Sequence, residues 1–123
     1  MRKKIVIIED DADILDIMTY ILTDKGYEVI SSSNSSILSG ADNNCPDLIL
    51  LDNRLPEGLG LEICKRYKQQ WKTEGKAVCP LIIISADHGL VSVAARHGAD
   101  GFIEKPFDVD NFLDTVKKFI KNQ

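Results

Sequence analysis

Three short apolar runs constrain this chain more than any other feature: Ile5-Val6-Ile7-Ile8, Leu48-Ile49-Leu50-Leu51 and Leu81-Ile82-Ile83-Ile84. Each is continuous rather than alternating, and the first and third are rich in β-branched residues. A strand with one wet face alternates, whereas a strand covered on both faces of a parallel sheet does not. Weaker strand candidates lie at residues 27–31 and 101–103. Between them the apolar spacing turns helical. Ile14, Leu15, Met18, Ile21 and Leu22 make one stripe, and Leu61, Ile63, Cys64, Tyr67 and Trp71 a second. Val91, Val93, Ala94 and Ala95 suggest a shorter third, and Phe112, Leu113, Val116, Phe119 and Ile120 a fourth. Strands alternating with helices predict βαβ units, a parallel sheet and helices on both of its faces. Residues 31–44, rich in Ser and Asn, predict a loop with a short or irregular second helix, and Lys121-Asn122-Gln123 a frayed end.

Composition closes off several function classes. The 123 residues suffice for one compact domain, and 44% hydrophobic content is ordinary for a globular core. A net charge of −4 argues against direct nucleic-acid binding, which calls for a basic surface. No apolar run approaches the roughly 20 residues of a membrane helix. The basic start before Ile5 looks like a signal peptide, but its apolar run stops at Glu9-Asp10-Asp11, so a cytoplasmic protein is expected. Cys45, Cys64 and Cys79 are odd in number and form no CxxC pair, so buried free thiols are expected rather than a disulfide or metal framework.

In an open α/β sheet, ligands bind beyond the carboxyl ends of the strands. After the first run comes Glu9-Asp10-Asp11, after the second Asp52, after the third Ser85, and after the weak fifth strand Glu104-Lys105-Pro106. Carboxylates, a hydroxyl and a lysine therefore converge on one edge. Close carboxylates make a hard oxygen site suited to Mg2+. Asp52 can attack phosphorus and hold it as an acyl phosphate, and a lysine ammonium is a point-charge partner for a phosphate oxygen. Positioning and electrostatics carry most of such a reaction.

In order and spacing these pieces resemble the receiver (CheY-like) domain of bacterial two-component response regulators, over residues 4 to about 120. The resemblance rests on Ile-Ile-Glu-Asp-Asp at 7–11, Asp-Leu-Ile-Leu-Leu-Asp at 47–52, Leu-Pro at 55–56 and Gly60. It continues with Ile-Ile-Ile-Ser-Ala at 82–86 and Gly-Ala-Asp-Gly-Phe-Ile-Glu-Lys-Pro-Phe at 98–107. It implies a flavodoxin-like, doubly wound five-stranded sheet of order 2-1-3-4-5, with residues 1–123 as a single receiver domain. It implies Asp52 as phosphoacceptor, Lys105 as the phosphate-binding lysine, Ser85 as the switch hydroxyl and Phe102 as the switch aromatic. It further implies Glu9 and Asp10 as the acidic pair holding Mg2+ with Asp52, Asp10 as a direct ligand, and a backbone carbonyl from Arg54. A cis Lys105–Pro106 bond belongs to the same pattern. The implied partners are a sensor histidine kinase or histidine phosphotransfer protein upstream, and downstream a protein bound through the fourth helix, fifth strand and fifth helix. Catalysis would be confined to its own phosphorylation and dephosphorylation.

Four features depart from the family pattern: Glu9 for the commoner aspartate, polar Asn53, the Glu57-Gly58-Leu59-Gly60 loop, and a short Ser85-to-Lys105 interval that shortens the fourth helix or its loop. Arg54 and Asp87, two residues beyond Asp52 and Ser85, can pair at the mouth of the site and tune the phosphate's lifetime. Plainer roles compete. Asp11 or Asp13 suits an N-cap, Ser85 could cap the next helix, Phe102 could be core, and His88 and His97 read as solvent-facing. Lys117 and Lys118 with Lys121 read as a solvated face. Two other functions compete as well. One is a phosphorylation-independent module on the same fold, against which Asp10, Asp52 and Lys105 speak. The other is a small aspartate-nucleophile phosphatase of the haloacid-dehalogenase type, suggested by Asp11-Ala12-Asp13 but with the acid pair intervening after the strand.

Overall fold

A computed structural model describes residues 2–39 and 45–120. The chain runs β1 (Lys4–Ile8), α1 (Ala12–Asp24), β2 (Glu28–Ser32), a 3-10 turn (Ser35–Ser39) and β3 (Leu48–Asp52). A miniature hairpin follows, β4 (Arg54–Leu55) and β5 (Gly58–Leu59), and then α2 (Gly60–Thr73). The order ends with β6 (Leu81–Ser85), α3 (Val91–Arg96), β7 (Gly101–Glu104) and α4 (Val109–Ile120). The main sheet is parallel, in the order β2-β1-β3-β6-β7. With the hairpin set aside, this is the expected 2-1-3-4-5.

The continuous apolar runs work because both faces of the sheet are covered. Along β1, β3 and β6, Val6, Ile8, Ile49, Leu51, Leu81 and Ile83 point to one side, against Leu61, Cys64, Tyr67 and Trp71 of α2 and Ala94 of α3. Ile5, Ile7, Leu48, Leu50, Ile82 and Ile84 point to the other, against Met18 and Leu22 of α1 and Phe112 and Val116 of α4. Burial of each such side chain contributes about 1.5–3 kcal/mol relative to exposure. Asp11 is the N-cap of α1, its carboxylate accepting from the backbone N of Asp13 (3.0 Å) and Ile14 (3.1 Å). Asp108 accepts from the backbone N of Asn111 (2.7 Å) at the start of α4.

The second connection is a 3-10 turn, in keeping with the irregular segment expected there; 40–44 and 121–123, including Lys121, lie outside the described residues. Glu57, in the hairpin turn, accepts from both the backbone N (2.5 Å) and Oγ (2.7 Å) of buried Ser35 and ties this turn to the loop beyond β3. The expectation of free thiols is corrected for two cysteines. Cys45 and Cys79 form a disulfide, with Cα atoms 5.5 Å apart. They lie just before the adjacent strands β3 and β6, which brings residues 34 apart in sequence together. Cys64 is free and buried, and burial pushes its thiol up to about 11. The third helical stripe is α3, of only 6 residues.

Candidate phosphoacceptor site

The strand order reverses at β1, which pairs with β2 on one side and β3 on the other. The crevice beyond these carboxyl ends is where an open α/β sheet receives a ligand. Register aligns the site. Ile8 pairs with Leu51, Asp52 with Ile84, and Ser85 with Glu104, so Glu9, Asp52, Ser85 and Lys105 arrive at similar depth.

Glu9 and Asp52 are 2% and 6% exposed, and Asp10 is exposed. Carboxylate oxygens of the three lie within 4.8 Å of one another. Lys105 Nζ donates to Glu9 Oε1 (2.9 Å) and Asp52 Oδ1 (3.0 Å). Burial works to lower the Lys105 pKa, but the two carboxylates outweigh it and hold it above the ordinary lysine value. Burial pushes the Glu9 carboxyl above its usual value and the Asp52 charge adds to this, against the pull of Lys105. The Lys105–Pro106 bond is cis. The donor set is three carboxylates, hard oxygen ligands of the kind Mg2+ takes, with Asp10 open to solvent.

Asn53, the polar departure after the acceptor, is 2% exposed. Its Oδ1 accepts from the backbone N of Leu61 (3.0 Å) in the first turn of α2, a helix whose N-cap, Leu59, has no side-chain cap bond. Gly60 begins that helix against β3: an added Cβ would meet the Asp52 carbonyl oxygen at 2.4 Å and Asn53 Cα at 2.9 Å. The loop 57–60 therefore carries a bond to Ser35 from Glu57 and a close backbone approach at Gly60. Sequence reasoning noticed both departures without finding these tasks.

Arg54 and Asp87 pair through Nε–Oδ2 (2.9 Å) and Nη2–Oδ1 (3.0 Å). The guanidinium holds the Asp87 carboxyl below its usual value, and Asp87 in turn raises Arg54. Ser85, 1% exposed, donates from Oγ to Asp87 Oδ2 (3.2 Å) and accepts from Asp87 N (2.9 Å). It caps no helix, since α3 begins at Val91. Phe102 is half-buried against the α2 side of the core. His88 contacts Glu104, and half-buried His97 lies 3.6 Å from Glu62 and 2.8 Å from the Val93 carbonyl oxygen. His88 and Phe102 line a groove of about 390 Å³ with Lys105, Phe107 and Asn111. Asp11 does not join the acidic cluster but caps α1. Among the described residues no helix is long and apolar enough to cross a membrane.

The family model for the response regulator receiver domain matches residues 5–117. The chain is 34% identical, over 124 residues, to the alkaline phosphatase synthesis transcriptional regulatory protein PhoP of Bacillus subtilis, covering 98% of this chain and 50% of that one. It is 35% identical to the response regulator ArlR of Staphylococcus saprophyticus, with 98% and 53% coverage. The chain thus spans about half the length of these relatives. Among solved structures it is similar to a CheY-like receiver domain protein from Methanospirillum hungatei (TM-score 0.82, 28% identity, 99% and 96% of the two chains). It is also similar to TrrA of Thermotoga maritima in complex with Mg2+-BeF (TM-score 0.79, 25% identity, 95% and 98%). The chain belongs to the response regulator receiver family of two-component signalling.

Proposed function

We propose that this chain, as a single receiver domain over residues 1–123, is a signalling switch thrown by phosphorylation of Asp52. The observation that carries the proposal is the buried Asp52 carboxylate held by Lys105 and flanked by Glu9 and Asp10 at the strand-order reversal. A carboxylate oxygen of Asp52 attacks phosphorus of a phosphohistidine or small phosphodonor. The donor's bond to phosphorus breaks with its electron pair going to the leaving imidazole, or to the leaving oxygen of a small phosphodonor, and an aspartyl phosphate remains. Lys105 releases Asp52 Oδ1 and follows a phosphoryl oxygen. Asp10, Asp52, Glu9 and the Arg54 backbone carbonyl would hold Mg2+, which when bound neutralises charge on the entering phosphoryl group.

Ser85 then hydrogen-bonds the phosphoryl group and Phe102 moves inward. The face made by α3, β7 and α4 changes its partner, by a shift between two packings of the domain. Within this face α3 has only 6 residues. Arg54 and Asp87 at the mouth tune the phosphate's lifetime. The upstream partner is a histidine kinase or phosphotransfer protein, and the setting is cytoplasmic. The test is backbone NMR with acetyl phosphate and Mg2+. Shifts at Ser85, Phe102 and α4 are expected in the wild type and not in Asp52→Ala; equal shifts in both would overturn the reading.

A further inference from the structure

We propose that Asp87 is a built-in competitor of the phosphoryl group, a positioning residue whose carboxylate keeps the Ser85 hydroxyl and the Arg54 guanidinium engaged while Asp52 is unmodified. The inference rests on the acceptor reading of Asp52 and adds the regulation of that site.

A serine has one O–H to donate. In Ser85 that donor goes to Asp87 Oδ2 at 3.2 Å, and its oxygen accepts from Asp87 N at 2.9 Å. Ser85 is 1% exposed, so solvent does not replace these partners. The Ser85 main chain is fixed as well, its carbonyl accepting from Lys105 N at 2.8 Å. The hydroxyl can therefore reach toward Asp52 only by turning its side chain away from the Asp87 carboxylate.

The same carboxylate binds Arg54 in two places, at 2.9 and 3.0 Å, and Asn53 Nδ2 stands 3.5 Å from its Oδ2. Arg54 also feels Asp52, whose charge adds to that of Asp87 in holding the guanidinium protonated. An anion on Asp87 thus gathers a hydroxyl, a guanidinium and an amide, the donor types that stabilise an anionic phosphoryl group. Only one of the two anions can have the Ser85 proton. Phosphorylation must then work against this resting arrangement, and the free energy of the Ser85–Asp87 bond subtracts from the drive toward the switched state.

Titration with beryllofluoride at saturating Mg2+, followed by fluorine NMR, tests this on wild type, Asp87→Asn, Ser85→Ala and the double variant. Asp87→Asn removes the charge and keeps the shape; Asp87→Ala serves as a second variant, and the partly exposed site tolerates both. Each is expected to bind about three- to tenfold tighter than wild type, the range for one charge-assisted bond partly screened by water. In the Ser85→Ala background the gain should shrink by about half or more, because the competed proton is gone and only the release of Arg54 remains. A purely structural role for Asp87 predicts equal effects in both backgrounds, and that result would overturn the proposal, as would unchanged or weaker binding in Asp87→Asn. If wild type itself fails to bind, the acceptor reading fails, and this inference with it.

Discussion

Lys105→Met removes one charge from a cluster that has little water to replace it. The side chains of Lys105, Glu9 and Asp52 are 15%, 1% and 8% exposed. The ammonium stands 2.9 Å from one carboxylate and 3.0 Å from the other. At an effective dielectric of about 20, each contact is worth about 5 kcal/mol of Coulomb energy, most of which offsets the desolvation of the ions. Breaking such a pair from one side leaves buried charge uncompensated and typically costs about 3–5 kcal/mol. Methionine keeps the apolar stem, and Asp10 is open to water, so a loss of about 2–4 kcal/mol at pH 7.5 in chelator is expected. The sign of the pH dependence follows from Glu9. Burial already holds its carboxyl above the ordinary glutamate value, and losing Lys105 removes a lowering influence. The folded variant therefore binds a proton that the unfolded chain lacks, and its stability recovers as pH falls toward the raised Glu9 value. Millimolar Mg2+ at pH 7.5 should restore part of the loss by another route. Urea denaturation at pH 7.5 and 5.5, with and without Mg2+, measures all of this. A deficit unchanged by acid and by Mg2+, or a variant as stable as wild type at pH 7.5, would refute the reasoning.

Gly60→Ala should destabilise by about 1–3 kcal/mol in thermal or urea unfolding, because contact with the Asp52 carbonyl at 2.4 Å outweighs the helix preference of alanine; a more stable variant would show that the strand yields. Asn53→Leu should cost about 1–2 kcal/mol in urea unfolding by losing the bond to Leu61 N. A variant as stable as wild type would remove the capping role. The 34-residue separation of Cys45 and Cys79 corresponds to about 4 kcal/mol of unfolded-state entropy. A dithiol reductant should therefore lower stability by about 2–4 kcal/mol and expose two further thiols to titration in denaturant, whereas a Cys79→Ser variant should be indifferent to it. Reductant-independent stability in the wild type would contradict the bridge.

The parallel sheet was legible because strands with two covered faces must be apolar throughout, as Ile5–Ile8 and Leu81–Ile84 are. Asp52 and Lys105 could be placed because each directly follows or ends a strand, and strand ends in this topology lie together. The β4–β5 hairpin escaped notice since two paired residues a side, Arg54 with Leu59 and Leu55 with Gly58, leave no periodic trace. Asn53 looked like a misplaced polar residue; its partner is the backbone N–H of buried Leu61, which has no intrahelical acceptor in the first turn of α2. The Cys45–Cys79 pair was missed for a related reason. Pairing depends on which strands are neighbours, and a count of three cysteines says nothing of that. A shared position before adjacent strands β3 and β6 was the available clue. The Glu57–Ser35 contact spans 22 residues and had none.

The central claim is that Asp52 accepts a phosphoryl group. Intact mass after incubation with acetyl phosphate, with and without Mg2+, on wild type and Asp52→Asn, tests it most directly. One Mg2+-dependent phosphoryl adduct on the wild type, absent from the variant, is the result expected. An adduct that survives in Asp52→Asn, or none on the wild type from either acetyl phosphate or a phosphohistidine donor, would contradict it.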